Sequence, residues 1–138
     1  MPDGNRYRLS IPVRITDINY GNHLGNDSLV TLVHEARVQW LSNEGFSEMS
    51  VGGAGLIMNE LMVNYMNESV YGDILDFEIV TGDIGSIGFE IFYDIHTTRN
   101  DKKVQIAVAK TGMVCFDYEK RKPSAIPENF LHFLKQNH

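Results

Sequence analysis

The sequence predicts an α+β fold, and three observations predict it. One long stretch near the N-terminus carries apolar residues at helical spacing. Four later runs are rich in β-branched or aromatic residues and most are separated by tight turn signals. No repeat, low-complexity tract or Pro/Gly/Ser linker divides the 138 residues, so a single domain spanning 1–138 is expected. One helix able to pack across one antiparallel sheet satisfies all three.

The elements follow in order. Tyr7 to Ile15 alternates as a strand, with Tyr7, Leu9, Ile11, Val13 and Ile15 on one face and Pro12 marking an edge. Asp17 to Asn26 is a loop rich in Gly and Asn. Either Asn26 or Asp27 can cap the helix that follows, because a short side-chain oxygen there accepts an orphan backbone N–H. That helix runs over about Asp27 to Ser42. Leu29, Leu32, Val33, Ala36 and Trp40 form its apolar stripe, with Glu35 at one edge beside Ser28 and Gln39, and His34 and Arg37 on the other flank. Asn43 and Gly45 stop it. Strands are expected at Leu56 to Met66, Ile74 to Val80, Gly88 to Thr97 and Val104 to Asp117, the last long enough to need a bend at Gly112. Pro123 and Pro127 lead into a short terminal helix, Glu128 to Lys135.

Composition narrows the function. Apolar residues are 43% and charged residues 22%, an ordinary globular balance. Lys plus Arg number 12 against 18 Asp plus Glu, a net charge of −6, with no basic block. Nucleic-acid and anionic-membrane partners are therefore not expected. Cys115 is the single cysteine, which excludes an intrachain disulfide and any CxxC metal site. With no apolar leader or spanning segment legible, the expectation is a soluble, cytoplasmic protein. His96, His132 and His138 are scattered without ligand spacing, so no metal site is expected.

The chemistry-bearing segment is Asp17 to Asp27, DINYGNHLGND. It holds two carboxylates, amides, an imidazole and glycines that let backbone N–H groups approach a ligand. The helix start adds N–H donors and the positive end of the helix dipole. A developing oxyanion needs such donors, and a nearby carboxylate serves as base or nucleophile. On composition alone a polar connector built of turn residues explains the segment equally well.

The stretch VRITDINYGNHLGNDSLVTLVHEARVQWL resembles the opening motif of hotdog-fold acyl thioesterases, the 4-hydroxybenzoyl-CoA thioesterase-like group and its fatty-acyl relatives. Asp17, His23, Asn26 and Glu35-Ala36-Arg37 match that motif. Tyr71-Gly72-Asp73 looks like the family's turn between strands, and Ala109 to Asp117 like its last strand. The resemblance implies a hotdog fold: a long central helix wrapped by one antiparallel sheet of about five strands, plus a short C-terminal helix. It implies hydrolysis of an acyl-CoA or acyl-carrier-protein thioester to a free acid and thiol, with no cofactor.

This chain departs from the motif at one position. Asn19 stands where many members carry their catalytic carboxylate, and an amide cannot act as a base. Asp17 is the first candidate to take over that role. Glu35 is the second, because a stripe-edge carboxylate suits partial desolvation and a related hotdog branch uses a helix glutamate. Asn19 and His23 are expected to position water, and Gly25, Asn26 and Asp27 to bind the thioester carbonyl. The fold usually pairs two sheets edge to edge, which implies a homodimer or homotetramer. A second subunit would then contribute Asn59, Glu60 and Asn64 to the site. Tyr20, Trp40, Met58, Met62 and Met66 are candidates for an apolar tunnel. Two alternatives accompany this reading. The loss of the acid at Asn19 favours a non-catalytic acyl-binding hotdog protein. Asp17-Ile18-Asn19 with His23 loosely resembles the D-x-N-P-x-H loop of hotdog enoyl-CoA hydratases, although the spacing is one residue too long and the Pro is missing.

Overall fold

The alternation of Tyr7, Leu9 and Ile11 with Arg8 and Ser10 does build an edge strand, but β1 covers only Tyr7–Pro12. The computed structural model, which describes residues 1–138, shows why it stops short of Ile15. Pro12 does not break the ladder, because its nitrogen faces the open edge and the Val13 N–H still donates to the Asp73 carbonyl at 2.9 Å. The Asp17 carboxylate then takes the Arg14 backbone N–H at 2.8 Å and curls Ile15–Asp17 into a 3-10 turn.

Helix α1 covers Asn26–Ser42. The strands that follow are β2 (Gly55–Tyr65), β3 (Ile74–Ile84), β4 (Gly88–Arg99), β5 (Lys102–Asp117) and the two-residue β6 (Lys122–Pro123). Helix α2 closes the chain at Glu128–Gln136. All strands pair antiparallel in one sheet, in the order β1-β3-β4-β5-β2, with β6 beside the end of β5. The sheet thus has five long strands and one short one, and β1 and β2 are its free edges.

The expected stripe of α1 is its buried face: Leu29, Leu32, Val33, Ala36 and Trp40 are all at most 1% exposed. They share a core with Leu75, Phe77 and Ile79 of β3 and Ile91, Tyr93 and Ile95 of β4, which alternate along each strand as a one-sided sheet requires. Helix α2 closes one end of this core. Phe130 and Phe133 join Trp40, Phe46 and Phe89, with ring centroids 4.8 Å apart for Trp40–Phe133 and 5.5 Å for Phe89–Phe130. The Thr81 hydroxyl donates to the Leu134 carbonyl at 3.0 Å and so meets a carbonyl at the C-terminal end of α2. Trp40 is therefore core and not tunnel wall.

Opposite Gly112, where a bend in β5 is expected, the paired strand β2 bulges at Asn59, so that Met58 pairs with Met113 and Glu60 with Gly112. The Asn59 side chain lies over Gly112, where an added Cβ would meet Asn59 Oδ1 at 2.7 Å. The cap of α1 is neither Asn26 nor Asp27. Both are already helical, and Gly25 sits at the N-cap with φ −69° and ψ 149° and with no side-chain cap bond. A Cβ on Gly25 would come within 2.7 Å of Asp27 Oδ1, so the first turn folds closely over a glycine.

Candidate active site

The loop before α1 is tied into a small hairpin. Ile18 and Leu24 form an isolated antiparallel bridge, and the Asn19 N–H donates to the His23 carbonyl at 2.8 Å. The Asn19 side-chain oxygen accepts from the N–H of Gly21 at 2.9 Å and of His23 at 3.3 Å. Asn22 turns the tip at φ 62°, a left-handed conformation that Asn tolerates. The Gly25 N–H returns to the Asp17 carbonyl at 2.9 Å, which delivers the chain into α1.

A cavity of about 500 Å³ opens where this hairpin, the start of α1 and the end of β2 meet, with Asn19, Gly21, His23, Asn26, Tyr65 and Glu68 among its walls. The first intrahelical bond runs from the Leu29 N–H to the Gly25 carbonyl. The N–H groups of Asn26, Asp27 and Ser28 precede it and gain no side-chain cap, so the helix offers donors and its positive end here. The Tyr65 hydroxyl donates to the Asn26 carbonyl at 3.3 Å. Burial, and then the Asp27 charge, push that phenol above its ordinary pKa.

The far wall is residues 67–69, between β2 and β3. The Leu24 N–H donates to the Ser69 carbonyl at 2.7 Å, joining wall to hairpin. Asp73 anchors it from below, accepting from the Ser69 hydroxyl at 2.7 Å, from the Val70 N–H at 3.0 Å and from the Arg99 guanidinium. Burial works to raise the Asp73 pKa, but the bonds from Arg99, Val70 and Ser69 together outweigh it and hold the carboxyl below its usual range. The same Arg99 donates to the Glu68 carbonyl at 2.9 Å. In the wall, Glu68 Oε2 stands 3.0 Å from His23 Nε2.

The structure brings together some of the sequence-nominated residues and separates others. Asn19, His23 and Asn26 line the cavity, and Gly25 and Asp27 shape the helix start beside it. Asp17 is 4% exposed, and its carboxylate faces Arg14, whose Nε and Nη2 lie 3.3 Å away. That bond raises the Arg14 pKa. Asp17 does not line the cavity. Glu35 is exposed rather than partly desolvated. It accepts from the Gln39 amide at 2.7 Å and borders a separate groove with Pro12, Arg14 and Gln39. Asn59 and Glu60 lie on the sheet face opposite α1, where Glu60 pairs with Lys110 at 2.8 Å. Within one chain neither reaches the cavity, and Tyr20 points wholly into solvent. Met66 lines the cavity, while Met58 lines a smaller one farther along the seam between α1 and β2.

Glu68, Ser69 and Tyr65 are site residues that sequence reasoning missed. The only signal was local: Asn67-Glu68-Ser69 is a polar run of the same kind as the hairpin, placed just before Tyr71-Gly72-Asp73. Elsewhere, Glu78, Asp94 and His96 gather on the outer sheet face with ligand atoms within 4.8 Å of one another. Arg6 lies 3.4 Å from Glu78 and 3.7 Å from Asp94 and Arg8 lies 3.5 Å from Glu78, the arrangement of an ion-pair network.

The sequence profile of the thioesterase-like superfamily matches residues 13–134. The chain therefore belongs to the thioesterase-like superfamily, and the class of enzyme this defines is a thioester hydrolase. Its fold is the hotdog fold of solved relatives. One is a 1,4-dihydroxy-2-naphthoyl-CoA thioesterase from Synechocystis, at 21% identity and TM-score 0.82, the match covering 94% of this chain and 96% of that one. A 4-hydroxybenzoyl CoA thioesterase variant complexed with 4-hydroxybenzoyl CoA is 12% identical at TM-score 0.84, with 94% and 99% covered. A Staphylococcus aureus protein in complex with CoA is 17% identical at TM-score 0.84, with 100% and 89% covered. No curated protein sequence matches. No helix is long and apolar enough to cross a membrane.

Proposed function

We propose that the cavity at the start of α1 hydrolyses acyl-CoA thioesters. The observation that carries this reading is the uncapped N-terminus of α1 opening into a cavity that is also lined by an imidazole, three asparagines and a carboxylate. In this reading the thioester carbonyl oxygen lies against the N–H groups of Asn26 and Asp27, where charge developing on oxygen meets fixed donors. Water adds to the carbonyl carbon, the C–S bond breaks, and the products are a carboxylic acid and a free thiol. A thiolate is a good leaving group, so a polarised carbonyl and one base suffice. Acyl-CoA is preferred to acyl-carrier protein because the relatives named above are CoA thioesterases or a CoA complex.

The roles assigned from sequence divide in this reading. Asn19 and His23 position water, and Gly25, Asn26 and Asp27 form the carbonyl site. Asp17 supports the loop through Arg14 rather than acting as base. Glu35, Asn59 and Glu60 would take part only where a second copy brings them to the cavity. A homodimer, or a tetramer built from it, suits the free β2 edge, which exposes Ile57, Met58, Met62 and Tyr65. The second reading, acyl binding without turnover, draws on Asn19, whose oxygen is engaged by its own loop.

Thiol release from short aliphatic, long aliphatic and aromatic acyl-CoAs, read with an Ellman-type reagent, tests the choice. Turnover on one class supports the hydrolase. Tight binding of all classes without thiol release would replace it with the acyl-binding reading.

A further inference from the structure

The family position that supplies a carboxylate is an amide here, and the two carboxylates nominated to replace it face elsewhere. A base must therefore come from another part of the wall. We propose that His23 is that base, that Glu68 holds its ring in the working tautomer, and that the attacking water sits over the bare Cα of Gly21. The proposal rests on the hydrolase reading above and assigns its proton-transfer step.

Three observations carry it. First, His23 is oriented from one side only: its Nε2 lies 3.0 Å from Glu68 Oε2. A carboxylate only accepts, so the proton belongs on Nε2, and Nδ1 is left with its lone pair free. The contact is not yet aligned as a hydrogen bond, and catalytic contacts commonly tighten when substrate arrives. Second, the far side of the ring faces the open space at Gly21. A Cβ placed there would meet His23 Nδ1 at 3.4 Å and Asn19 Oδ1 at 3.5 Å, so an object at that point touches both acceptors at once. Gly21 lines the cavity and is not in the left-handed region, so nothing in its backbone calls for glycine. What its missing side chain provides is room. Third, Glu68 is more fixed than its exposed side chain suggests. Its carbonyl is held by Arg99 and the next residue, Ser69, is buried and bonded to Asp73 and to the Leu24 N–H.

Water over Gly21 gives one proton to His23 Nδ1 while its oxygen bonds to the carbonyl carbon, and the imidazolium is stabilised by the Glu68 carboxylate. The tetrahedral oxyanion collapses, the C–S bond breaks, and the proton on Nδ1 passes to the departing sulfur. Asn19 Oδ1, held by the N–H groups of Gly21 and His23, borders the seat and takes no proton. His23 is the catalytic residue and Glu68 a positioning residue, the logic by which an acid fixes a histidine tautomer in hydrolase triads.

Gly21→Ala is the sharpest test, because alanine fits the backbone and fills the proposed water seat. With the acyl-CoA that wild type turns over best, kcat should fall about 100-fold, in the range of general-base catalysis, with KM little changed and the melting curve unmoved. Glu68→Gln should lower kcat about tenfold, with Glu68→Asp recovering part of it. Ring ¹⁵N shifts of His23 give a reading independent of activity: Nε2 should carry the proton in wild type, and that preference should weaken in Glu68→Gln. A His23 protonated on Nδ1 overturns the proposal whether or not the enzyme is active. An active wild type matched by Gly21→Ala and Glu68→Gln overturns it and leaves the hydrolase reading intact. A wild type that turns over no acyl-CoA removes that reading and the base assignment together.

Discussion

The two ends of α1 are finished in opposite ways. At its C-terminal end Trp40 is wholly buried against Phe133, and α2 seals that end of the core, its last carbonyls met by Thr81. At its N-terminal end the helix starts on a glycine, gains no side-chain cap and opens into a cavity walled by polar side chains. One end maximises apolar contact; the other leaves backbone donors unanswered and aims them at a space. Apolar burial is concentrated at the first end, and the chemistry we propose at the second.

Substitutions can break this division, and the largest effect belongs to the sealed end. Trp40→Ala should destabilise the fold by about 3–5 kcal/mol through lost burial and a cavity, measured by urea unfolding. The specific activity of the remaining folded fraction should be unchanged.

Next comes the tie beneath the cavity. Asp73→Asn loses charge-assisted bonds to a partly buried guanidinium and should cost about 1.5–3 kcal/mol. The carboxyl of Asp73 is more acidic in the fold than in the open chain, so its contribution is complete above about pH 4 and is lost as pH falls through the lower folded value. Acid unfolding of Asp73→Asn should therefore begin from a lower plateau and show a shallower dependence on pH than wild type.

A smaller effect lies at high pH. Burial pushes the Cys115 thiol up to about 11, so its contribution is complete below the unfolded value of about 8.5 and is lost as pH rises through about 11. Cys115→Ala should flatten that alkaline decline, and the native thiol should resist Ellman reagent until the protein unfolds. Smallest of all is Glu35→Gln: an exposed carboxylate bonded to Gln39 should change stability by less than about 0.5 kcal/mol and leave kcat where it was. A large loss of kcat would show that a second subunit brings Glu35 to the cavity.

The sealed end was legible in the sequence and the open end only half so. The stripe from Leu29 to Trp40, α2 and the four later strand runs were legible because periodicity reports burial, whereas the first run was read three residues too long. The hairpin from Asp17 to Asp27 announced itself by composition and by its family motif. The direction of its side chains was not announced. Asp17 looked like a free carboxylate, yet the same residue types that bind ligands also bind neighbouring backbone, and Arg14 had claimed it. Glu68 could not be found because its partnership with His23 arises from a wall placed by Asp73 and Arg99, 26 residues apart in sequence. No local pattern encodes such a meeting.

That wall also sets an order of events. Arg99 joins the turn at Asp73 to the carbonyl of Glu68, and Leu24 reaches the same segment through Ser69. The cavity therefore exists only when the hairpin, the β2–β3 connection and the end of β4 are all in place. Contacts of such sequence separation close late, after the local hairpins of the sheet, and a rim with little apolar burial is among the first parts to open on warming. The cavity is thus expected to assemble after the local hairpins and, if it is the active site, to lose its activity before the core gives way. Heated slowly, the chain should fall silent several degrees before its secondary structure melts.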